Sequence, residues 1–339
     1  MNISLFDEIR IYYGSDRLLT VFRDMAGNDA NEALKSVNQR NLQFPSLFIL
    51  CPEIKRLQLS DGLNARSTYA YNFISRILEA DELDSQVLLQ EHAGENSEIP
   101  EVPENPQNPE FLRWMLESGY AEDGLSEEYD QVLDTAAICL LKVYGSNRSL
   151  KIIEDMIFKR YRKGSFIYDL TWAYFETINP QNLNGLAARL RSSEPKDVEL
   201  ARKLLNFIPA VSEREDSPRK QHQNTLKWIS QNQNFLYYTG ATNNQTFEPA
   251  RFAVALEAKY LQKPVGGILQ QSGLQSRLAG APGYENLERF KELEEDYKLL
   301  LSNYSNALYH YNRYKWNKWI QSPVERQIEI AERIMGDVQ

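Results

Sequence analysis

Between residues 126 and 209, apolar side chains recur every three to four positions through five successive segments, and residues that punctuate helices separate them. Ser126 with Glu127 and Glu128 is a helix-opening signal. Val132, Leu133, Ala136, Cys139, Leu140 and Val143 follow on one face, and Gly145 closes the run. Ile152, Ile153, Met156, Ile157 and Tyr161 form a second run ending at Gly164. Phe166, Leu170, Ala173, Tyr174 and Ile178 form a third, ending at Asn179 and Pro180. Those two residues suit the cap and first position of a fourth, which holds Leu183, Leu186, Ala187 and Leu190. Ser193 opens a fifth through Val198, Ala201, Leu205 and Ile208, stopped by Pro209.

A period of 3.6 cannot serve a strand, whose side chains alternate with a period of 2. Short turns between helices place neighbours antiparallel, as in a bundle or a solenoid. No repeat motif of the familiar helical kinds runs through these segments. The expected fold class is therefore all-α: a multi-helix bundle or irregular helical array with a long C-terminal helical segment.

That last segment is the most regular in the chain. Phe290, Leu293, Tyr297, Leu300, Tyr304, Leu308 and Tyr311 average 3.5 residues apart, the period of a seam that faces another helix. Ser322, Pro323 and Glu325 then spell a capping box, and Ile328, Ala331, Ile334 and Met335 give a closing helix its apolar face up to Gly336.

The rest of the chain divides around these helices. Residues 1–90 form a helical N-terminal region, with Ser15 and Asp16 opening a helix through Leu18, Leu19, Phe22 and Met25, and Ser67 and Thr68 opening another. The stretch 42–59 stays ambiguous, its apolar run short and bounded by prolines. Residues 91–110 are an acidic linker with proline at every third position from Pro100 to Pro109, a spacing that matches the polyproline II turn. Residues 111–211 are the five-helix array, and 283–339 the closing segment. Between them, 212–282 is a loop-rich helical connector. There 212–224 reads as loop, 226–238 as helix, and Pro249 opens a helix through Phe252, Leu256, Tyr260 and Leu261.

Charge is confined in the same way. Of the net −9, ten acidic residues and no Lys or Arg fall between Glu79 and Glu110, which leaves the remainder close to neutral. The N-terminal residues carry acids where a signal peptide needs an apolar run, and no stretch approaches the ~20 apolar residues of a membrane span. Cys51 and Cys139 stand far apart in apolar surroundings and read as buried free thiols. Cytoplasmic residence and no membrane contact are the expectations.

No constellation for catalysis or metal binding stands out. Residues 266–273 contain glycines but neither the lysine nor the spacing of a phosphate-binding loop, and Ser272 lacks a nucleophile-elbow context. His92, His222 and His310 are isolated from one another. No cofactor and no metal site is expected.

Two basic features carry the candidate contacts. Lys159, Arg160, Arg162 and Lys163 end the second helix, where cations complement the dipole or meet an anion or nucleic acid. Tyr311, Tyr314, Trp316 and Trp319 interleave with Arg313, Lys315 and Lys318, a composition shared by core packing, a protein interface and a base-stacking surface. The expected role is a non-enzymatic helical interaction or scaffold protein, a component of a larger assembly with a protein partner or a second copy. An enzyme with a site assembled from scattered carboxylates, tyrosines and arginines is the alternative. A nucleic-acid-associated helical protein is the third, disfavoured by the absence of a basic stripe.

Overall fold

The computed structural model describes residues 3–79, 108–122, 124–177, 182–212, 217–241, 246, 249–265 and 278–335. The proline repeat up to residue 107, the Asn179 and Pro180 cap and the glycines at 266–273 lie outside them. The chain is all-α, a helical array with a single two-stranded ribbon among the described residues. It forms two compact units, one of residues 1–160 with 166–177, the other of 161–165 with 178–339.

In the first unit, α1 (Leu5–Tyr13) is capped by Ser4, whose Oγ accepts from the Asp7 N–H at 3.1 Å. Gly14 adopts φ +85°, open only to glycine at low cost, and the chain turns directly into α2 (Ser15–Asn28). Asp29 caps α3 (Ala30–Val37) through the Asn31 and Glu32 N–H groups. The ambiguous proline-bounded run is a helix, α4 (Phe44–Arg56). Pro45 sits in its first turn, where no N–H is required, and Pro52 lies inside the helix while Leu47, Leu50, Cys51 and Ile54 are buried around it.

Helix α5 (Ala65–Glu79) starts two residues ahead of the expected Ser67, because Asn64 Oδ1 accepts from the Ser67 N–H. Then come α6 (Asn108–Gly119), α7 (Glu127–Lys142), α8 (Leu150–Lys163) and α9 (Tyr168–Glu176). Ser126 caps α7 as its sequence position indicates, accepting from the Tyr129 N–H at 3.1 Å. Phe44 stacks on Tyr129 at 5.6 Å, and Tyr129 OH donates to the Gly119 carbonyl at 2.9 Å.

A buried polar knot fastens α1 to α4. The fully buried Asp7 accepts from Ser46 Oγ at 2.6 Å, from the Gln43 N–H at 3.0 Å and from the Ser4 hydroxyl. Arg10 donates to Ser46 Oγ, Gln43 Oε1 and Glu122 Oε1. Every member is satisfied, the condition under which such a network stabilises. Cys51 and Cys139 are buried and free; burial pushes both thiols up, Cys139 to about 11.

The second unit opens with α10 (Leu183–Arg189), α11 (Pro195–Leu204), α12 (Pro209–Ser212) and α13 (Pro218–Asn232). The expected cap Ser193 is not the one used. Glu194 precedes Pro195 at the first helical position, while Ser192 Oγ accepts from the Glu194 N–H and donates to Asp197. Helix α13 starts within the expected loop at 212–224, since Ser217 and Pro218 supply a cap and a first position of their own.

The region expected to be helical at 236–238 and 252–254 is instead a ribbon. Strands β1 (Leu236–Tyr238) and β2 (Phe252–Val254) pair antiparallel, Leu236 with Val254 and Tyr238 with Phe252. Three residues carry too little periodicity to separate a strand from a helix.

The connector ends with α14 (Leu256–Tyr260), and the closing segment comprises α15 (Leu287–Lys291), α16 (Glu295–Tyr311), α17 (Arg313–Ile320) and α18 (Val324–Met335). The regular seam is thus not one helix. It breaks at Glu294 (φ −63°, ψ 153°), and just past its end the helix stops at Asn312 (φ −157°, ψ 98°), whose Oδ1 caps α17 by accepting from the Lys315 N–H at 2.9 Å.

The neighbour that the seam requires lies in the same unit. Ser302 Oγ donates to the Leu256 carbonyl at 2.9 Å and Ser305 Oγ to the Tyr260 carbonyl at 2.6 Å, so small side chains bring α14 against α16. Tyr260 stacks on Phe290 at 4.3 Å and its hydroxyl donates to Gln327 Oε1. Ser322 does not cap α18; its hydroxyl donates back to the Trp319 carbonyl, and Gln327 Nε2 donates to the Ile320 and Ser322 carbonyls.

Candidate functional site

Helical phase within α17 decides which of its aromatic residues face solvent. Tyr314 stands two residues, about 200° of helical turn, from Trp316, so the two side chains point to opposite sides of α17. Trp316 and Trp319 turn inward, each 5% exposed, while Tyr311 and Tyr314 turn outward at 81% and 70%. The six interface candidates therefore divide. The two tryptophans belong to the core of the second unit, not to its surface, because the indoles are the largest apolar groups of α17 and fill the space against α16.

Their contacts show how firmly they are held. The Trp316 indole N–H donates to Ser305 Oγ at 2.8 Å, and its ring meets Tyr309 edge-on at 5.0 Å. Trp319 packs against Tyr304 at 5.1 Å and Tyr260 at 6.2 Å. Burial raises the Tyr260 and Tyr304 hydroxyls above the ordinary tyrosine value.

On the outer side, the Arg313 guanidinium lies 4.8 Å over the Tyr309 ring and Lys318 Nζ 4.5 Å over the Tyr314 ring. Such contacts contribute about 0.5–1 kcal/mol at exposed positions and orient the cations. Arg313, Lys315 and Lys318 are all exposed, and no acidic residue occurs from 297 to 324. None of the three cations has a carboxylate partner among the described residues. The cations of the preceding helices do: Lys291 pairs with Glu288 at 2.7 Å, Arg289 with Glu292 at 2.9 Å and Lys298 with Glu295 at 3.0 Å.

The other candidate cluster is spent within the chain. Arg160 is 4% exposed and paired with Asp134 at 2.6 Å in the first unit, and Lys159 Nζ donates to the Ala121 carbonyl at 3.2 Å. Arg162 bonds both carboxylate oxygens of Asp197 in the second unit, at 2.9 and 3.0 Å. Lys163 is exposed. Carboxylates distant in sequence thus claim Arg160 and Arg162, each within its own unit.

One group escaped the sequence altogether. Lys259, 2% exposed, donates to Asn232 Oδ1 at 2.7 Å and Asn303 Oδ1 at 2.6 Å, and burial pulls its ammonium down to about 8. Nothing in the surrounding residues marks it, since a lysine on a helix ordinarily faces water. His222 is half-buried, with its pKa lowered by desolvation and then by Arg191, and His310 is exposed beside Tyr309. Among the described residues no three His, Cys, Asp or Glu side chains are grouped to hold a metal ion, and no helix is long and apolar enough to cross a membrane. Comparison with protein-family models, with curated proteins and with solved structures finds no match to this chain.

Proposed function

We propose that this chain is a non-enzymatic helical interaction protein, a component of a larger assembly, and that the outer face of α17 with Tyr311 is where its partner docks. One observation carries the reading. Tyr314, on a short helix that two buried tryptophans fix in place, is 70% exposed, and Tyr311, at the end of the preceding helix, is 81% exposed. Tyrosine and arginine are the residues that most often anchor interfaces. They offer large contact area at low rotamer cost when the scaffold beneath is rigid. Scattered large exposed side chains are common on any surface, but here Tyr311, Tyr314, Arg313 and Lys318 fall within two turns. Cytoplasmic residence goes with this reading, as buried free thiols suit a reducing compartment.

The test is affinity capture from the native cell with the full chain, comparing wild type with a Tyr311→Ala, Tyr314→Ala double variant. Partners identified by mass spectrometry should be lost from the variant while its far-ultraviolet circular dichroism stays unchanged. Equal recovery of the same partners by both proteins overturns the reading.

A further inference from the structure

We infer that the docking face of α17 takes an acidic, extended peptide segment of a partner protein, its carboxylates meeting Arg313, Lys315 and Lys318 and its intervening apolar or proline residues lying on Tyr311 and Tyr314. This rests on the interaction reading above and specifies the partner's chemistry.

Charge complementarity carries it. The second unit holds 23 Lys and Arg against 18 Asp and Glu, and the first holds 15 against 29. The local surplus is sharper still, because the stretch 297–324 has no acid to neutralise its cations. Arg313 and Lys315 stand in the first turn of α17, at the positive end of its dipole, where a cation costs about 0.3–1 kcal/mol. No carboxylate among the described residues offsets that cost, so an anionic partner relieves it. The ring contacts to Tyr309 and Tyr314 hold two of the charges in position beforehand, which lowers the entropy lost on binding.

Two other occupants fit less well. Nucleic acid needs a track of cations and successive aromatic faces, yet α17 spans only about 12 Å at 1.5 Å per residue. A second copy of the chain brings a net charge of −9 against −9, which opposes encounter. A short peptide senses only the field within the Debye length of about 8 Å.

The experiment uses the full chain and fluorescence anisotropy with three labelled probes: a short peptide alternating Glu with Pro and Leu, the same peptide with Gln for Glu, and oligothymidylate. The Glu peptide should bind, the Gln peptide should bind about tenfold more weakly, and added salt should erase the difference. Arg313→Glu with Lys318→Glu should abolish Glu-peptide binding. Lys318→Gln, a milder change, should weaken it severalfold with the thermal midpoint unchanged. Equal binding of the Glu and Gln peptides, or no binding of either, overturns the acidic assignment. So does tighter binding of oligothymidylate. Concentration-dependent self-association abolished by the charge reversal, without peptide binding, also overturns it and gives the face to a second copy. The two readings fail separately: partner capture that still depends on Tyr311 and Tyr314, without Glu-peptide binding, leaves the docking face standing and removes only its acidic ligand.

Discussion

The indole N–H of Trp316 donates to Ser305 Oγ at 2.8 Å, and Ser305 in turn donates to the Tyr260 carbonyl at 2.6 Å, so one hydroxyl links α17, α16 and α14. Both residues are buried. Ser305→Ala removes the acceptor of one group and the donor of the other, and leaves an indole N–H dry and unpaired. The expected loss is about 1–3 kcal/mol, from the desolvation cost of orphaned buried groups. A urea titration followed by tryptophan fluorescence measures it, and a loss below about 0.5 kcal/mol, the range of ordinary surface changes, rejects the link.

Trp316→Ala and Tyr314→Ala should separate cleanly although they lie two residues apart. The first empties a buried site beneath Tyr309 and should cost about 3–5 kcal/mol. The second removes a ring that is 70% exposed and should stay within about 0.5 kcal/mol. Denaturant midpoints of the two variants decide the matter; similar losses would place Tyr314 in the core as well.

These tryptophans and tyrosines show what the sequence could and could not express. All four lie within nine residues, at spacings of 3, 2 and 3, and the helical class of the region is legible from its caps and periods. Which side faces inward is not, because it depends on how α17 packs against α16 once the chain restarts after Asn312. Asn312 reads as an unremarkable polar residue until its side chain is seen to cap α17. Arg160 makes the same point about charge: its partner Asp134 lies 26 residues earlier, beyond any helical spacing rule. The ribbon of β1 and β2 was illegible for a different reason, its three-residue strands being shorter than one helical turn and too short to set alternation apart from a helix.

Lys259 should give the second unit an unusual pH dependence. Its folded pKa of about 8 lies below the ordinary 10.5, so between these values the unfolded chain binds more protons than the folded one. Stability contributed through this group therefore rises as pH climbs from 8 towards 10.5, by up to roughly 3 kcal/mol at 1.36 kcal/mol per unit. Tyr260 and Tyr304 act in the opposite direction above about 10, where the unfolded phenols ionise and the buried ones do not. Lys259→Met retains those tyrosines, so the difference between wild type and variant isolates the lysine. Urea midpoints at pH 7 and pH 10 should show the variant gaining less than wild type over that interval. Parallel changes in the two proteins would mean that Lys259 is solvated in solution.

Gly283 and Gly280 share left-handed backbone, φ +82° and +73°, but differ in what stands beside them. A Cβ at Gly283 would lie 2.5 Å from Ile320 Cγ1 and 2.8 Å from the Ile320 carbonyl oxygen, whereas nothing lies within 4 Å at Gly280. That carbonyl already accepts from Asn286 Nδ2 at 2.9 Å and from Gln327 Nε2 at 3.1 Å, so displacing it loosens the end of α17 on two sides. Both alanine variants carry the left-handed backbone cost of about 1–2 kcal/mol. Gly283→Ala should lose about 1–3 kcal/mol more, the range for an overpacked site. If the two variants unfold at the same urea concentration, the close approach of residue 283 to Ile320 does not hold α17 against its unit; a gap between them, widest for Gly283→Ala, places that approach among the contacts that keep the tyrosine face fixed.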